Sequence, residues 1–163
     1  MRFTGPAVAI LALGASGAAL LGCSGGGHAI PPNQVPITAA SRRAVKEYLK
    51  GRDLEEKLRA TDAREHYAAA LAFDPSFALA YVGIANTAPT TVDFFDALRH
   101  ATALVGQVSE GEAHIIRALE AGVNGQPQAQ LQHLTALVQA YPDDERAHNL
   151  LALFYFGRQE WPR

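Results

Sequence analysis

The chain has 163 residues, of which 48% are hydrophobic, and its 14 basic and 16 acidic side chains give a formal net charge of −2. This length and apolar content suffice for one domain with a buried core, and the charge balance provides no basic field for nucleic acid. The single cysteine, Cys23, excludes an internal disulfide and a zinc site built from several cysteines.

The chain opens with an apolar run that has one charged residue, Arg2, near its start and ends at residues 20–23, Leu-Leu-Gly-Cys. A short basic start, an apolar region rich in small residues and a small residue before a cut site are typical of an export signal. Residues 20–23 resemble a bacterial lipobox, in which the signal is removed before the cysteine and the cysteine is lipidated. The resemblance implies a lipoprotein signal peptide over 1–22 and a lipid anchor at Cys23. An uncleaved anchor helix and an unrelated buried cysteine are the alternatives.

Residues 24–37 are rich in glycine, proline and polar side chains, and they cannot bury a core. We therefore predict a lipid-anchored flexible linker over 23–37, which would span on the order of 20 Å. Ser24 follows the cysteine, where aspartate is the usual inner-membrane retention residue of enteric-type lipoproteins. By this resemblance we expect the chain at the bacterial cell envelope, with the outer membrane facing the periplasm favoured over the cell membrane.

From Thr38 onwards, apolar residues recur at spacings of three and four, which predicts a helical domain over 38–163. The first helix is predicted to carry an apolar stripe that includes Tyr48 and Leu58. Helix starts are predicted at polar residues that can cap a first turn, namely Thr38 or Ser41, Asp62 with Glu65, Thr91, Ser109 with Glu112, and Asp143 or Asp144. Helix ends are predicted at proline or glycine, namely Pro75, Pro89, Gly125, Pro142 and Gly157.

The predicted boundaries between successive two-helix units recur at a nearly constant spacing. The interval from Ser109 to Pro142 is one position shorter than the interval from Pro75 to Ser109, which we interpret as the loss of a residue before Pro142. Tyr67 lies between alanines four positions before and three positions after it. This pattern resembles the tetratricopeptide repeat, a two-helix unit of about 34 residues with a small–large–small signature before a proline. The resemblance implies an all-α, right-handed α-solenoid of antiparallel helix pairs, with about 3.5 repeats and the last one incomplete. A generic helical bundle is the alternative.

Stacked repeats of this family line a concave groove with the first helix of each unit, and the groove takes an extended peptide or a partner's helix. By that resemblance, eight residues are predicted to face the groove: Tyr48, Arg52, Leu79, Asn86, Ile116, Glu120, Asn149 and Leu153. Arg52 can bind a carboxylate, and the two asparagines can hold a peptide backbone. The alternative is that these polar residues are merely solvated. Ala113 and Ile116 stand where some members place carboxylate-binding cations, so that activity is not expected here.

Motifs for catalysis or metal binding are missing from the sequence. The six histidines include no two that are three or four residues apart and no His-Glu-x-x-His, and no phosphate-cradling glycine loop follows a predicted strand. We therefore predict that the chain is not an enzyme and that it has no metal site and no cofactor.

The sequence therefore predicts a lipid-anchored scaffold or adaptor for protein–protein interactions at the bacterial envelope. We expect a protein or peptide partner, a membrane contact through lipidated Cys23 and no nucleic acid. The alternative is the N-terminal sensing or adaptor part of a longer enzyme or glycan-binding chain. Four apolar residues of the C-terminal helix would need a partner, namely Leu150, Leu153, Phe154 and Phe156, so self-association through this helix is a further expectation.

Overall fold

The computed structural model describes residues 33–159, which form seven α-helices, one short 3-10 helix and no strand. The all-α prediction is therefore confirmed for this part of the chain. The elements are α1 (Arg42–Glu56), α2 (Ala60–Phe73), α3 (Ala78–Asn86), α4 (Thr91–Ala103), the 3-10 helix (Val105–Gln107), α5 (Glu110–Val123), α6 (Pro127–Ala140) and α7 (Glu145–Arg158). The predicted signal peptide, Cys23 and residues 24–32 of the predicted linker lie outside the described residues.

Three helices begin at the caps expected from the sequence. Ser41 caps α1, and Asp144 caps α7 by accepting hydrogen bonds from two backbone amides of the first turn. Ser109 and Glu112 form both bonds of the predicted capping box at the start of α5. Local side-chain chemistry is sufficient to position these helix starts, because the cap and the amides that it satisfies are close neighbours along the chain.

The start of α2 differs from the prediction. The helix begins after Arg59, which makes no side-chain cap, so the predicted capping box of Asp62 and Glu65 is wrong. Asp62 lies within the first turn and pairs with Arg59 at 2.6 Å between Oδ2 and Nη2. Leu58, assigned to the apolar stripe, lies in the turn between α1 and α2 with a positive φ of 59°, and it is 92% exposed. The apolar stripe of α1 therefore ends before Leu58.

Two further boundaries shift by a short distance along the chain. Thr90 caps α4, whereas Thr91 was predicted. The hydroxyl oxygen of Thr90 accepts a hydrogen bond from the backbone amide nitrogen of Asp93 at 3.1 Å. The helix α7 continues past Gly157, because the left-handed residue that ends it is Gln159 with a φ of 56°. Gly157 lacks the left-handed conformation with which glycine usually ends a helix.

Each helix packs against the next one along the chain, and contacts also join α1 with α3 and α3 with α5. The pairs α1–α2, α3–α4 and α5–α6 form the most extensive interfaces. Short connections between the members of each pair make them antiparallel. The helices α1, α3 and α5 are therefore neighbours in the structure.

In each of these three helix pairs, one side chain of the first helix contacts one side chain of the second. The facing residues are separated by the same 19 positions in each pair: Glu47–His66, Tyr81–His100 and His114–His133. The interval from the second pair to the third is one position shorter than the interval from the first pair to the second. The shortening therefore arises between His100 and His114, in the connection from α4 to α5. By the spacing of these facing pairs the shortening lies in the connection from α4 to α5, whereas the predicted position was between Ser109 and Pro142.

The core around Tyr67 follows the predicted packing. Ala63 and Ala70, one turn on either side of Tyr67, are fully buried, and Tyr67 itself is 1% exposed. Gly51 of α1 and Gly83 of α3 lie against its ring, so close that an added Cβ at either glycine would come within 2.6 Å of a ring carbon. One bulky side chain thereby fills the space that small residues leave between three helices.

An extended segment, residues 33–40, runs along the starts of α3, α5 and α7; we call it the N-terminal strap. Three buried carboxylates hold its backbone. The amides of Val35, Thr38 and Ala40 donate to Asp144, Glu112 and Asp74 over 2.9, 2.8 and 2.6 Å, respectively. Residues 33–37, which the sequence assigns to the flexible linker, are thus hydrogen-bonded to the helical domain.

Candidate binding concavity

A concavity of about 320 Å³ is lined mainly by residues of α1, α3 and α7. Six of the eight predicted groove residues line it: Tyr48, Arg52, Leu79, Asn86, Asn149 and Leu153. They come from α1, α3 and α7, so the structure brings together residues from the first and the last of the described helices. Tyr48 and Leu79 are nearly buried in its floor, whereas Asn86, Asn149 and Leu153 are exposed.

The two predicted residues of α5 do not line the concavity. Ile116 is fully buried in the core, and Glu120 is half-buried elsewhere on α5. Ile115 lines the concavity instead. The prediction assumed that the spacing between equivalent residues of successive units stays constant into α5. The interval from Val82 to Ile115 is one position shorter than the interval from Tyr48 to Val82. The shortened connection before α5 causes this difference, since a shift of one residue rotates a helical side chain by about 100°.

Two arginines give the concavity its positive groups. Arg52 lies 3.7 Å from Glu56 and from Glu145, both beyond hydrogen-bond distance, and its buried Nε has no hydrogen-bond partner among residues 33–159. Arg146 binds Asp144 through Nε and Nη2 and interacts with Tyr48, but its buried Nη1 likewise lacks a hydrogen-bond partner in the described chain. An unpaired buried donor costs about 1–3 kcal/mol, and an acceptor reaches these two atoms only if the side chains that cover them move.

The pKa values of neighbouring groups reflect this environment. Burial raises the pKa of Tyr48, although the nearby guanidinium groups of Arg146 and Arg52 oppose the change. Burial also opposes the ionisation of Asp144, yet the hydrogen bonds from Arg146 and from the amide of Val35 leave its pKa below the usual range. Tyr48 is therefore a neutral phenol at neutral pH, and Asp144 is a carboxylate that keeps Arg146 in place.

Glu55 already binds two groups at the wall of the concavity. One carboxylate oxygen accepts the hydroxyl of Tyr67, and the other accepts the side-chain amide of Asn86 at 3.1 Å. Burial and this carboxylate raise the pKa of Tyr67 above its usual range. Asn86 is thus oriented by Glu55, which leaves its second amide hydrogen and its carbonyl oxygen to contact a ligand.

Sequence reasoning missed Arg146, Ile115, Val82 and Glu55 as lining residues. Val82 and Ile115 occupy positions equivalent to Tyr48 in α3 and α5. Counting along the sequence from Tyr48 finds both residues, provided that the shortened interval before Ile115 is included. Arg146 lies in the first turn of α7, directly after three acidic residues, and no local pattern relates it to Tyr48 of α1.

No protein-family model matches this sequence, and no curated protein is similar enough to it to match. Within the described part of the chain, no three His, Cys, Asp or Glu side chains are grouped so that they could hold a metal ion. Every helix described between residues 33 and 159 is too short or too polar to span a bilayer.

Proposed function

We propose that this chain is a lipid-anchored adaptor of the bacterial envelope, built as a tetratricopeptide-like solenoid, which binds a protein partner in its concavity. The partner presents an extended peptide or a helix face with a hydrogen-bond acceptor, such as a carboxylate, near Arg52 and Arg146. The apolar floor of the concavity takes side chains of the same segment. The lipid on Cys23 keeps the complex at the membrane.

The repeat architecture has support from packing as well as from spacing. The facing pairs Glu47–His66, Tyr81–His100 and His114–His133 occupy the same position in successive helix pairs. Tyr67 packs between a glycine of its own helix pair and a glycine of the next. Both observations are typical of stacked two-helix repeats, in which every unit repeats the contacts of its neighbour.

The observation that carries the binding proposal is that Arg52, with 24% of its side chain exposed and the carboxylates of Glu56 and Glu145 3.7 Å away, beyond hydrogen-bond distance, lines a mostly apolar concavity. Binding sites commonly combine an apolar lining with a few polar groups that have unused hydrogen-bonding capacity. A hydrogen bond to a charged group contributes about 1.5–3 kcal/mol, so loss of Arg52 should weaken binding by about tenfold or more.

Photo-crosslinking in envelope membranes tests the binding site. A photo-reactive amino acid replaces Asn149, inside the concavity, and in a matched sample it replaces Arg99, an exposed residue of α4. We expect a discrete crosslinked protein only from position 149, and we expect Arg52→Gln to reduce its yield while Arg99→Gln has no effect. A crosslink that persists in Arg52→Gln and Asn86→Ala would show that the concavity does not bind the partner.

Fractionation tests the anchor independently. We expect the wild-type chain in the membrane fraction and Cys23→Ala in the soluble fraction or retained as the unprocessed precursor. Metabolic labelling with a fatty-acid analogue should mark the wild type only. Equal labelling of both chains would exclude Cys23 as the lipidated residue.

A further inference from the structure

The contact between His114 of α5 and His133 of α6 has no role in the concavity. Their two Nδ1 atoms lie 3.1 Å apart, and both rings are partly buried, with 17% of the His114 side chain exposed. The equivalent positions in the other helix pairs hold Glu47 opposite His66 and Tyr81 opposite His100. The pair formed by α5 and α6 is therefore distinguished by two imidazoles that face each other through the same ring nitrogen.

The separation of the two nitrogens suits a shared metal ion. With zinc–nitrogen bonds of about 2.0–2.1 Å, two ligating nitrogens are about 2.9 Å apart at a right angle and about 3.3 Å apart at the tetrahedral angle. The observed 3.1 Å lies between these values. A single N–H···N hydrogen bond between neutral rings has a similar length, so metal binding must be measured to distinguish the two arrangements.

The surroundings place a carboxylate beside His114. Nε2 of His114 lies 3.9 Å from the carboxylate of Glu110. A carboxylate on the side of the ring opposite to the ligating nitrogen is the usual outer partner of a metal-bound histidine.

We propose that His114 and His133 bind one divalent transition-metal ion of the zinc class through their Nδ1 atoms. Water or a donor from a bound partner fills the remaining coordination positions. Imidazole is a preferred ligand for zinc, copper and nickel, and two protein ligands make the ion exchangeable. The site lies on the α5–α6 pair, and its existence does not depend on what the concavity binds.

Calorimetric titration of the full-length chain with zinc chloride at about pH 7.5 tests the proposal, since neutral imidazole is the ligand at this pH. We expect saturable binding that is weakened at least about tenfold in His133→Gln and in His114→Gln. The matched control is His100→Gln, which changes the equivalent residue of α4, where the facing residue is Tyr81. Binding should be unchanged in this control. All samples contain Cys23 and His28, so any binding there is common to every titration.

A second variant tests the site by adding a ligand. Tyr81→His places an imidazole opposite His100 and should create one additional zinc site per chain. Circular dichroism establishes that each variant is folded, and the added site keeps the proposal testable if a loss variant unfolds. The proposal is overturned if zinc does not bind saturably, or if binding survives His114→Gln and His133→Gln together. Either result would leave the contact as a hydrogen bond within the helix pair.

Discussion

The ring of Tyr67 is held on both sides by backbone. An added Cβ at Gly83 would lie 2.6 Å from two ring carbons, and one at Gly51 would lie 2.6 Å from a carbon on the other edge of the ring. Because the ring is buried and its hydroxyl is bonded to Glu55, it has no space into which to move. The absence of a side chain at the two glycines is thus a packing requirement.

We expect Gly83→Ala to lower the free energy of unfolding by about 1–3 kcal/mol, since overpacking forces backbone or ring displacement. The matched control is Gly157→Ala, also within a helix, where an added Cβ would meet no atom within 4 Å. The control should be neutral or stabilise by up to about 1 kcal/mol, because alanine favours the helix over glycine. Urea denaturation measures both, and equal effects in the two variants would contradict this account of Tyr67.

At the scale of elements, the N-terminal strap depends on carboxylates far from it in sequence. Glu112 is fully buried, and it accepts hydrogen bonds from the amides of Thr38 and Ser109 at 2.8 and 2.9 Å. The same side chain therefore completes the capping box of α5 and holds the strap. Loss of this carboxylate should affect both elements together.

We expect Glu112→Gln to lower the free energy of unfolding by about 1–3 kcal/mol. The glutamine NH₂ group is a donor, and it would face the amides of Thr38 and Ser109, which need an acceptor. Hydrogen exchange at the amides of Val35, Thr38 and Ala40 should become faster. The control is Glu110→Gln in the same helical turn, where the side chain is 81% exposed. Unchanged exchange in Glu112→Gln would show that the strap is held by other contacts.

Acid should release the strap at its Asp144 end. The folded pKa of Asp144 lies below its ordinary value of 3.8, because its hydrogen bonds outweigh burial. The stabilisation is therefore fully present above that unfolded value and is lost as the pH falls through the lower folded pKa. NMR measurement of the Val35 amide during acid titration should show its hydrogen bond breaking in this window. In Asp144→Asn the pH-dependent change of the Val35 amide signal should be absent. If the signal changes with pH as in the wild type, a group other than Asp144 is responsible.

At the scale of the whole molecule, α7 exposes apolar side chains at the end of the described part of the chain. Leu153 is 64% exposed and lies at the edge of the concavity. Full burial of such a side chain contributes about 1.5–3 kcal/mol, which favours contact with a partner or with a second copy. The expectation of self-association through the C-terminal helix remains a prediction.

Sedimentation equilibrium of the full-length chain in detergent should show concentration-dependent association, and Leu153→Glu should reduce it. Leu49→Glu provides the control, because Leu49 is 43% exposed on α1 and belongs to a different surface. If both variants associate as strongly as the wild type, α7 is not the contact between copies.

Much of the helical body and part of the concavity could be predicted from the sequence. The caps at Ser109 and Asp144 and the packing of Tyr67 between its alanines depend on residues a few positions apart, and helix geometry alone relates these residues. The equivalent spacing of successive units also indicated six lining residues. Local stereochemistry and periodicity therefore determined which segments are helical and which face most of them bury.

Only the tertiary structure decided the contacts that depend on how separate segments meet. It placed Ile115 in the concavity because the connection before α5 is shorter than the assumed spacing. It brought Val35 to Asp144, 109 residues away, and His114 to His133 across two helices. Such contacts leave no local pattern, since their energy comes from burying and pairing groups that are remote along the chain until the helices pack.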